Sequence, residues 1–330
     1  MAEKIVYMLG AGASAEALPL AKDSKDGERK GLASRMINLA NELTDNKKGL
    51  NNNSIYFKIK NKIATDLINL ATESNKFNTV DTLAKYYYLN KQTDLLNGLK
   101  KTLTEFFILE QLYNKKLDER YLVFLTSILE KREFPENIVI LNWNYDFQME
   151  LAAKEFGKEN FHLVKYFPPI GKIENNISQN KYSLIHLNGI AGAVVKNHNI
   201  IDNCFDYNVN DVDGLTYIHS LIINDPEQML LKFAWEGNNN SVLTDGVKYA
   251  QDAVLTSNIL VVIGYSFPFF NREVDREIFL RLNNYNSLKK IYYQDPVLDG
   301  QYLYNQFNLD RNIKIEHIPG VEQFYIPFEL

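Results

Sequence analysis

Apolar residues follow two rhythms along this chain, and each rhythm predicts a different element. Short, mostly unbroken runs occupy Lys4 to Leu9, Asn137 to Leu141, Tyr182 to Leu187, Asn258 to Ile263 and Lys289 to Tyr293, and a sixth candidate, Ile313 to Ile318, is interrupted by Lys314, Glu316 and His317. Runs of this length, apolar at odd and even positions alike, predict strands covered on both faces, as in a parallel sheet. The second rhythm is helical. Met36, Leu39, Ala40 and Leu43 recur at three- and four-residue spacing, followed by Ile55, Ile59, Ile63, Leu67 and Leu70. The same character continues through Leu83 to Tyr88, Leu95 to Leu109 and Tyr121 to Leu129.

Together these patterns predict an α/β protein with a Rossmann-like, doubly wound, mainly parallel sheet of about six strands. The division expected is a sheet domain over 1–30 and 132–330, with a helical subdomain inserted at 31–131. The other segments are read more coarsely. Lys22 to Gly31 reads as a surface loop, Asp45 to Asn53 as a break between helices, and 158–181 as a loop or short hairpin around Pro168-Pro169 and Asn175-Asn176. Asn199 to Thr216 is polar, Leu221 to Trp235 reads as a helix, Gly237 to Asn240 as a loop, and Ser241 to Thr256 as a helix feeding the next strand.

Composition narrows the class. The chain has 330 residues, 45% hydrophobic, with a formal charge of -5. That supports a sizeable core and argues against a nucleic-acid surface as its main business. No apolar stretch is long enough to span a bilayer and no secretory leader pattern opens the chain, so a soluble, cytoplasmic protein without a membrane partner is expected. Cys204 is the only cysteine, which excludes disulfides within the chain and zinc sites built on cysteine pairs.

The candidate chemistry sits where strands end, because ligands of open parallel sheets bind beyond the carboxyl ends of the strands. The first strand stops at Gly10-Ala11-Gly12-Ala13-Ser14. Glycines there allow a tight turn and a close approach to phosphate, and for Gly-x-Gly alone an ordinary strand-to-helix turn is an equal reading. The second strand ends in Asn142-Trp143-Asn144-Tyr145-Asp146, where Asn144 and Asp146 either meet a ligand or cap the helix carrying Met149, Leu151 and Ala152. The third ends in His186-Leu187-Asn188-Gly189, with His186 and Asn188 expected on one face. The fourth gives Gly264-Tyr265-Ser266-Phe267-Pro268, where Ser266 reads as a phosphate or ribose contact or as a cap. The fifth ends in Gln294-Asp295-Pro296. Within the insertion, Asn78 or Thr79 is expected to cap the next helix, and Asp81 is read as part of that turn or as facing the cleft. The acid that a hydride-transfer Rossmann enzyme places ~20 residues beyond its glycines is absent, which counts against an oxidoreductase.

The four polar strand ends, in this order on one sheet, resemble the sirtuin-like fold, in particular the sirtuin-like NAD-hydrolysing domains of bacterial antiphage defence systems. The resemblance covers residues ~4 to ~296. It implies that Gly10, Ala11, Gly12, Ala13 and Ser14 hold the NAD pyrophosphate and that Gly264 and Ser266 line the nucleotide cleft. Gly189, Tyr265 and Asp295, at the same strand ends, are further nucleotide-binding candidates, with the roles of Tyr265 and Asp295 left open. It implies that Asn144 orients the nicotinamide ribose and the attacking water, with Asp146 in support. Two departures stand out. The zinc-binding cysteine pairs of the protein deacetylases are missing, so NAD is expected as substrate with no zinc. The family's histidine normally precedes the glycine directly, and here Asn188 stands there. His186 is therefore expected to act as base or to position ribose hydroxyls, and Asn188 to keep a hydrogen-bonding role. A general base contributes typically ~10²–10⁴-fold.

The function expected is an NAD glycohydrolase releasing nicotinamide and ADP-ribose, the toxic effector of an antiphage system. A partner or self-assembly would activate it. In the family such partners include HerA-type ATPases, short Argonaute proteins and nucleotide-sensing subunits, and a homo-oligomer is expected. The alternative is a catalytically silent nucleotide-binding subunit.

Overall fold

The computed structural model describes residues 3–23, 27, 30–45, 55–129, 134–156, 184–191, 193–196, 200–203, 209, 212–224, 231–236, 241–284 and 286–330. Its strands are β1 Ile5–Leu9, β2 Ile138–Asn142, β3 Leu184–His186, β4 Ala193–Lys196, β5 Ile200–Asn203, β6 Ile259–Ile263, β7 Lys290–Gln294 and β8 Lys314–Ile318. Six form one all-parallel sheet in the order β3-β2-β1-β6-β7-β8, and β4 and β5 pair antiparallel as a separate ribbon. All six strands expected from the apolar runs are present. The β4–β5 ribbon was not foreseen.

The helices are α1 Leu32–Thr44, α2 Ile55–Lys76, α3 Val80–Leu89, α4 Thr93–Ile108, α5 Glu119–Ile128, α6 Gln148–Glu155, α7 Val212–Asn224, α8 Ser241–Ala253, α9 Arg272–Asn283 and α10 Leu303–Phe307. Side chains of β1 alternate between two apolar layers, as a doubly wound sheet requires. Ile5, Tyr7 and Leu9 meet Tyr121, Phe124 and Leu125 of α5 and Met149 and Ala152 of α6. Val6 and Met8 share the opposite layer with Ala250 of α8 and Ile278, Phe279 and Leu282 of α9. At ~1.5–3 kcal/mol for each large side chain withdrawn from water, these two layers hold the sheet.

Helices α1 to α4 build a third apolar cluster around Met36, Leu39, Leu67, Leu83, Leu103 and Phe106, which also takes in Leu215, Leu231 and Phe233. α4 runs into a π-turn, Leu109–Tyr113, before α5 crosses to the sheet. Thr79 is the residue that caps α3, accepting the Thr82 N–H at 3.2 Å.

The helix expected over Leu221 to Trp235 is corrected. α7 spans Val212–Asn224, and Ala234–Glu236 is a separate short 3-10 turn. The stripe that decides it is Leu215, Ile218, His219 and Ile222, all buried, whose spacing is helical despite the polar residues and glycine around it. The hairpin or loop expected at 158–181, the loop at 237–240, most of the break at 45–53, part of the loop at 22–31, and Cys204 lie outside the described residues.

Counting only strands of the main sheet, the order is 3-2-1-4-5-6. The chain winds outward from β1 to β3, then returns to start again at β6. The reversal point, between the carboxyl ends of β1 and β6, is where this topology opens a crevice for a ligand.

Candidate functional site

At that reversal point two turns press directly on each other. The Gly10 N–H donates to Ile263 O and the Gly12 N–H to Gly264 O, both at 3.0 Å. A Cβ at Gly10 would lie 2.6 Å from Gly264 O, one at Gly12 2.6 Å from Gly264 Cα, and one at Gly264 2.4 Å from Gly12 Cα. Gly264 also has φ +58°, in the left-handed region. These glycines therefore serve the contact between β1 and β6 turns as well as the tightness of the first. Ala11–Ser14 winds as one 3-10 turn, with Ala11 exposed and Ala13 and Ser14 buried.

Asn144 reaches this turn from the end of β2. Its Nδ2 donates to Gly10 O at 2.9 Å and to Ser14 Oγ at 3.3 Å, and its backbone N–H donates to Asn142 Oδ1 at 3.0 Å. Ser14 Oγ lies 2.9 Å from the Tyr121 hydroxyl, and its side chain also hydrogen-bonds Asp146. Asp146 accepts the Gln148 N–H at 3.2 Å, so it steadies the start of α6 while facing the cluster. Next to it, His186 Nε2 and Glu150 Oε1 are 2.6 Å apart. Three crossover connections thus deliver Ser14, Asn144, Asp146, Glu150 and His186 to one buried polar cluster.

The electrostatics follow from that burial. Desolvation raises the Asp146 carboxyl from 3.8 to about 6, assisted by Glu150 and opposed by the Ser14 and Gln148 hydrogen bonds and by His186. Burial, then the Asp146 charge, hold the Tyr121 hydroxyl well above its ordinary range, so it stays protonated. Because Asp146 binds its proton more tightly folded than unfolded, the stability it contributes is complete below about pH 4 and is lost as pH rises through about 6. Asp146→Asn should flatten the decline in unfolding free energy across that window. Urea titrations at a series of pH values check this, and an undiminished decline would assign it to another group.

The remaining expected residues take other places. Asn188 Nδ2 donates to Trp143 O at 2.8 Å, and Gly189 sits beside it with φ +66°. Tyr265 is committed to the core: its ring stacks on Trp143 at 5.5 Å, and its hydroxyl donates to Asp275 at 2.9 Å. Burial pushes the Asp275 carboxyl well up, and burial, then the Asp275 charge, hold the Tyr265 hydroxyl well above its ordinary range. Ser266 is exposed just beyond Gly264, and Pro268, not Ser266, precedes the next short turn. Asp295 closes its own turn, accepting the Val297 and Leu298 N–H groups at 2.9 and 2.7 Å. Asp81 accepts the Tyr145 hydroxyl at 2.9 Å, tying α3 to the Asn144-Tyr145-Asp146 turn.

Several residues of the cluster were not found from sequence. Glu150 stands four residues after Asp146, a spacing that would place both acids on one helix face. Tyr121, Asp118, Arg120 and Gln148 carry no local signal. Asp118 accepts the Glu16 N–H at 3.1 Å, and its own N–H donates to Gln148 Oε1 at 2.7 Å.

The chain matches no protein-family model, no curated protein and no solved structure. No described helix is long and apolar enough to cross a membrane.

Proposed function

We propose that this chain is an NAD glycohydrolase of the sirtuin-like type, the toxic effector of an antiphage defence system, activated by a partner protein or by assembly. The observation that carries the reading is the Asn144 carboxamide, 2.9 Å from Gly10 O at the sheet's reversal point. A carboxamide there can hold a ribose hydroxyl and a water beside the glycosidic carbon, while the glycine turn receives the pyrophosphate. In the reaction, the bond from nicotinamide nitrogen to ribose C1′ breaks with its electron pair on nicotinamide. Water adds to C1′ and gives up a proton. The leaving group is neutral and the sugar becomes cationic, so placement and fixed dipoles supply much of the rate. His186, paired with Glu150, is the proton acceptor in this reading.

A second reading, a silent nucleotide-binding subunit, is favoured by one observation. The position next to Gly189 is Asn188, a side chain without a basic nitrogen, and its amide is turned to Trp143 O.

Purified protein, with and without the product of its neighbouring gene, is incubated with NAD while nicotinamide release is followed. Release that disappears in His186→Ala supports the hydrolase and its base. Full activity in His186→Ala with none in Asn188→Ala would show that His186 is not the base. Binding of NAD without turnover under every activating condition would establish the silent subunit instead.

A further inference from the structure

The glycine turn has a second support, from below, that the reading above does not use. Arg120, in the first turn of α5, is buried and directs Nη2 to Ala13 O at 3.1 Å and to Gly12 O at 3.3 Å. The same guanidinium makes a two-pronged pair with Asp118, at 2.8 and 2.6 Å. Asp118 in turn accepts the Glu16 N–H at 3.1 Å. The pair therefore grips the turn at both ends, by two carbonyls and one amide. A third arm, Nη1 to Val321 O at 2.9 Å, anchors Arg120 to the C-terminal segment.

A peptide unit is planar, with its carbonyl and N–H on opposite sides. Holding the Gly12 and Ala13 carbonyls against the guanidinium thus fixes the planes that carry Ala13 and Ser14. It also fixes the direction in which Ser14 projects its hydroxyl toward Asn144. Burial by itself would lower the guanidinium's affinity for its proton, and the Asp118 hydrogen bonds and charge outweigh that and raise it. The pair is internally neutral, so what it offers the site is shape. A lysine would keep the charge and lose the fork.

We propose that Arg120 and Asp118 are positioning residues for the dinucleotide, setting the glycine turn and, through Ser14, the Asn144 carboxamide. The proposal rests on the dinucleotide reading of the same site. It assigns a role in binding to an Asp-x-Arg pair that has no place in the strand-end pattern.

The test is calorimetric titration of the full chain with NAD and with ADP-ribose, together with thermal unfolding. Arg120→Lys is expected to bind both about 10-fold more weakly, the loss of a charged hydrogen-bond fork, with its unfolding midpoint near that of the native chain. Arg120→Ala should regain binding when ethylguanidinium is added, and should not respond to ethylammonium. Asp118→Asn, which keeps an acceptor for the Glu16 N–H, should show an intermediate loss. A folded Arg120→Lys variant that binds as tightly as the native chain overturns the positioning role and leaves the dinucleotide reading intact. Failure of the native chain to bind either nucleotide, with or without its activating partner, overturns both. Loss of the fold in both Arg120→Lys and Asp118→Asn makes the pair a stability element and also overturns the role.

Discussion

Gly264→Ala should cost this protein about 3 kcal/mol or more of unfolding free energy. Two penalties combine. The backbone at 264 lies at φ +58°, where a side chain costs ~1–3 kcal/mol. The new Cβ would also stand 2.4 Å from Gly12 Cα, 2.5 Å from Gly12 C and 2.6 Å from the Ala13 nitrogen. These are backbone atoms of a buried turn, held by the Gly12 N–H to Gly264 O hydrogen bond, and cannot swing aside as a long side chain would. Overpacking of that kind adds ~1–3 kcal/mol. Gly98 supplies the control. It lies within α4, where an added Cβ meets nothing within 4 Å, and Gly98→Ala should raise stability by ~0.5–1 kcal/mol. Denaturant titration of the two variants reads opposite signs. Equal effects would mean that the β1 and β6 turns do not touch as described.

Asn144→Ala is the activity counterpart. Removing its carboxamide takes away two hydrogen bonds, to Gly10 O and Ser14 Oγ, and the polar group proposed to hold the ribose and water. Loss of one fixed donor beside a charge-developing centre lowers turnover by ~10²–10³. The structural cost is smaller, ~1–3 kcal/mol for a buried acceptor left without its donor. Nicotinamide release should therefore fall far more than the population of folded protein. Asn144→Asp makes the argument sharper, because a carboxylate has the same shape and presents oxygen, not N–H, to the Gly10 carbonyl. It should be as inactive as alanine and less stable. Hydrolysis by Asn144→Ala at the native rate would remove the central support of the proposed function.

The brace beneath the glycine turn bears on both results. Arg120 joins the turn to the C-terminal segment, where Gln294 Nε2 donates to Gly320 O and Gln323 O at 2.6 Å and Phe324 packs edge-on against Tyr121 at 4.9 Å. The far end of the chain is thus built into the support of its first turn.

The six strands and the first five helices were legible because their signals are local. A strand covered on both faces is apolar at nearly every position, while the edge strand β8 carries Lys314, Glu316 and His317 among its isoleucines, and a helix face repeats every three to four residues, whatever the rest of the chain does. Ile259 to Ile263 and the stripe Met36, Leu39, Ala40, Leu43 both needed only neighbouring residues to be read. The glycines and asparagines at strand ends were legible as candidates for the same reason. What they touch was decided elsewhere. Asn144 meets Gly10 across 134 residues of sequence, and Ser14 meets Tyr121 across 107. No periodicity encodes such pairs. They follow from the order in which strands enter the sheet and from the crossovers that cover it. That is why His186 was visible and its Glu150 partner was not, and why Tyr265, polar at a strand end, proved to belong to the core with Asp275. Tertiary structure settles these cases because burial drives most polar groups to find a partner, and the nearest partner in space is seldom the nearest in sequence.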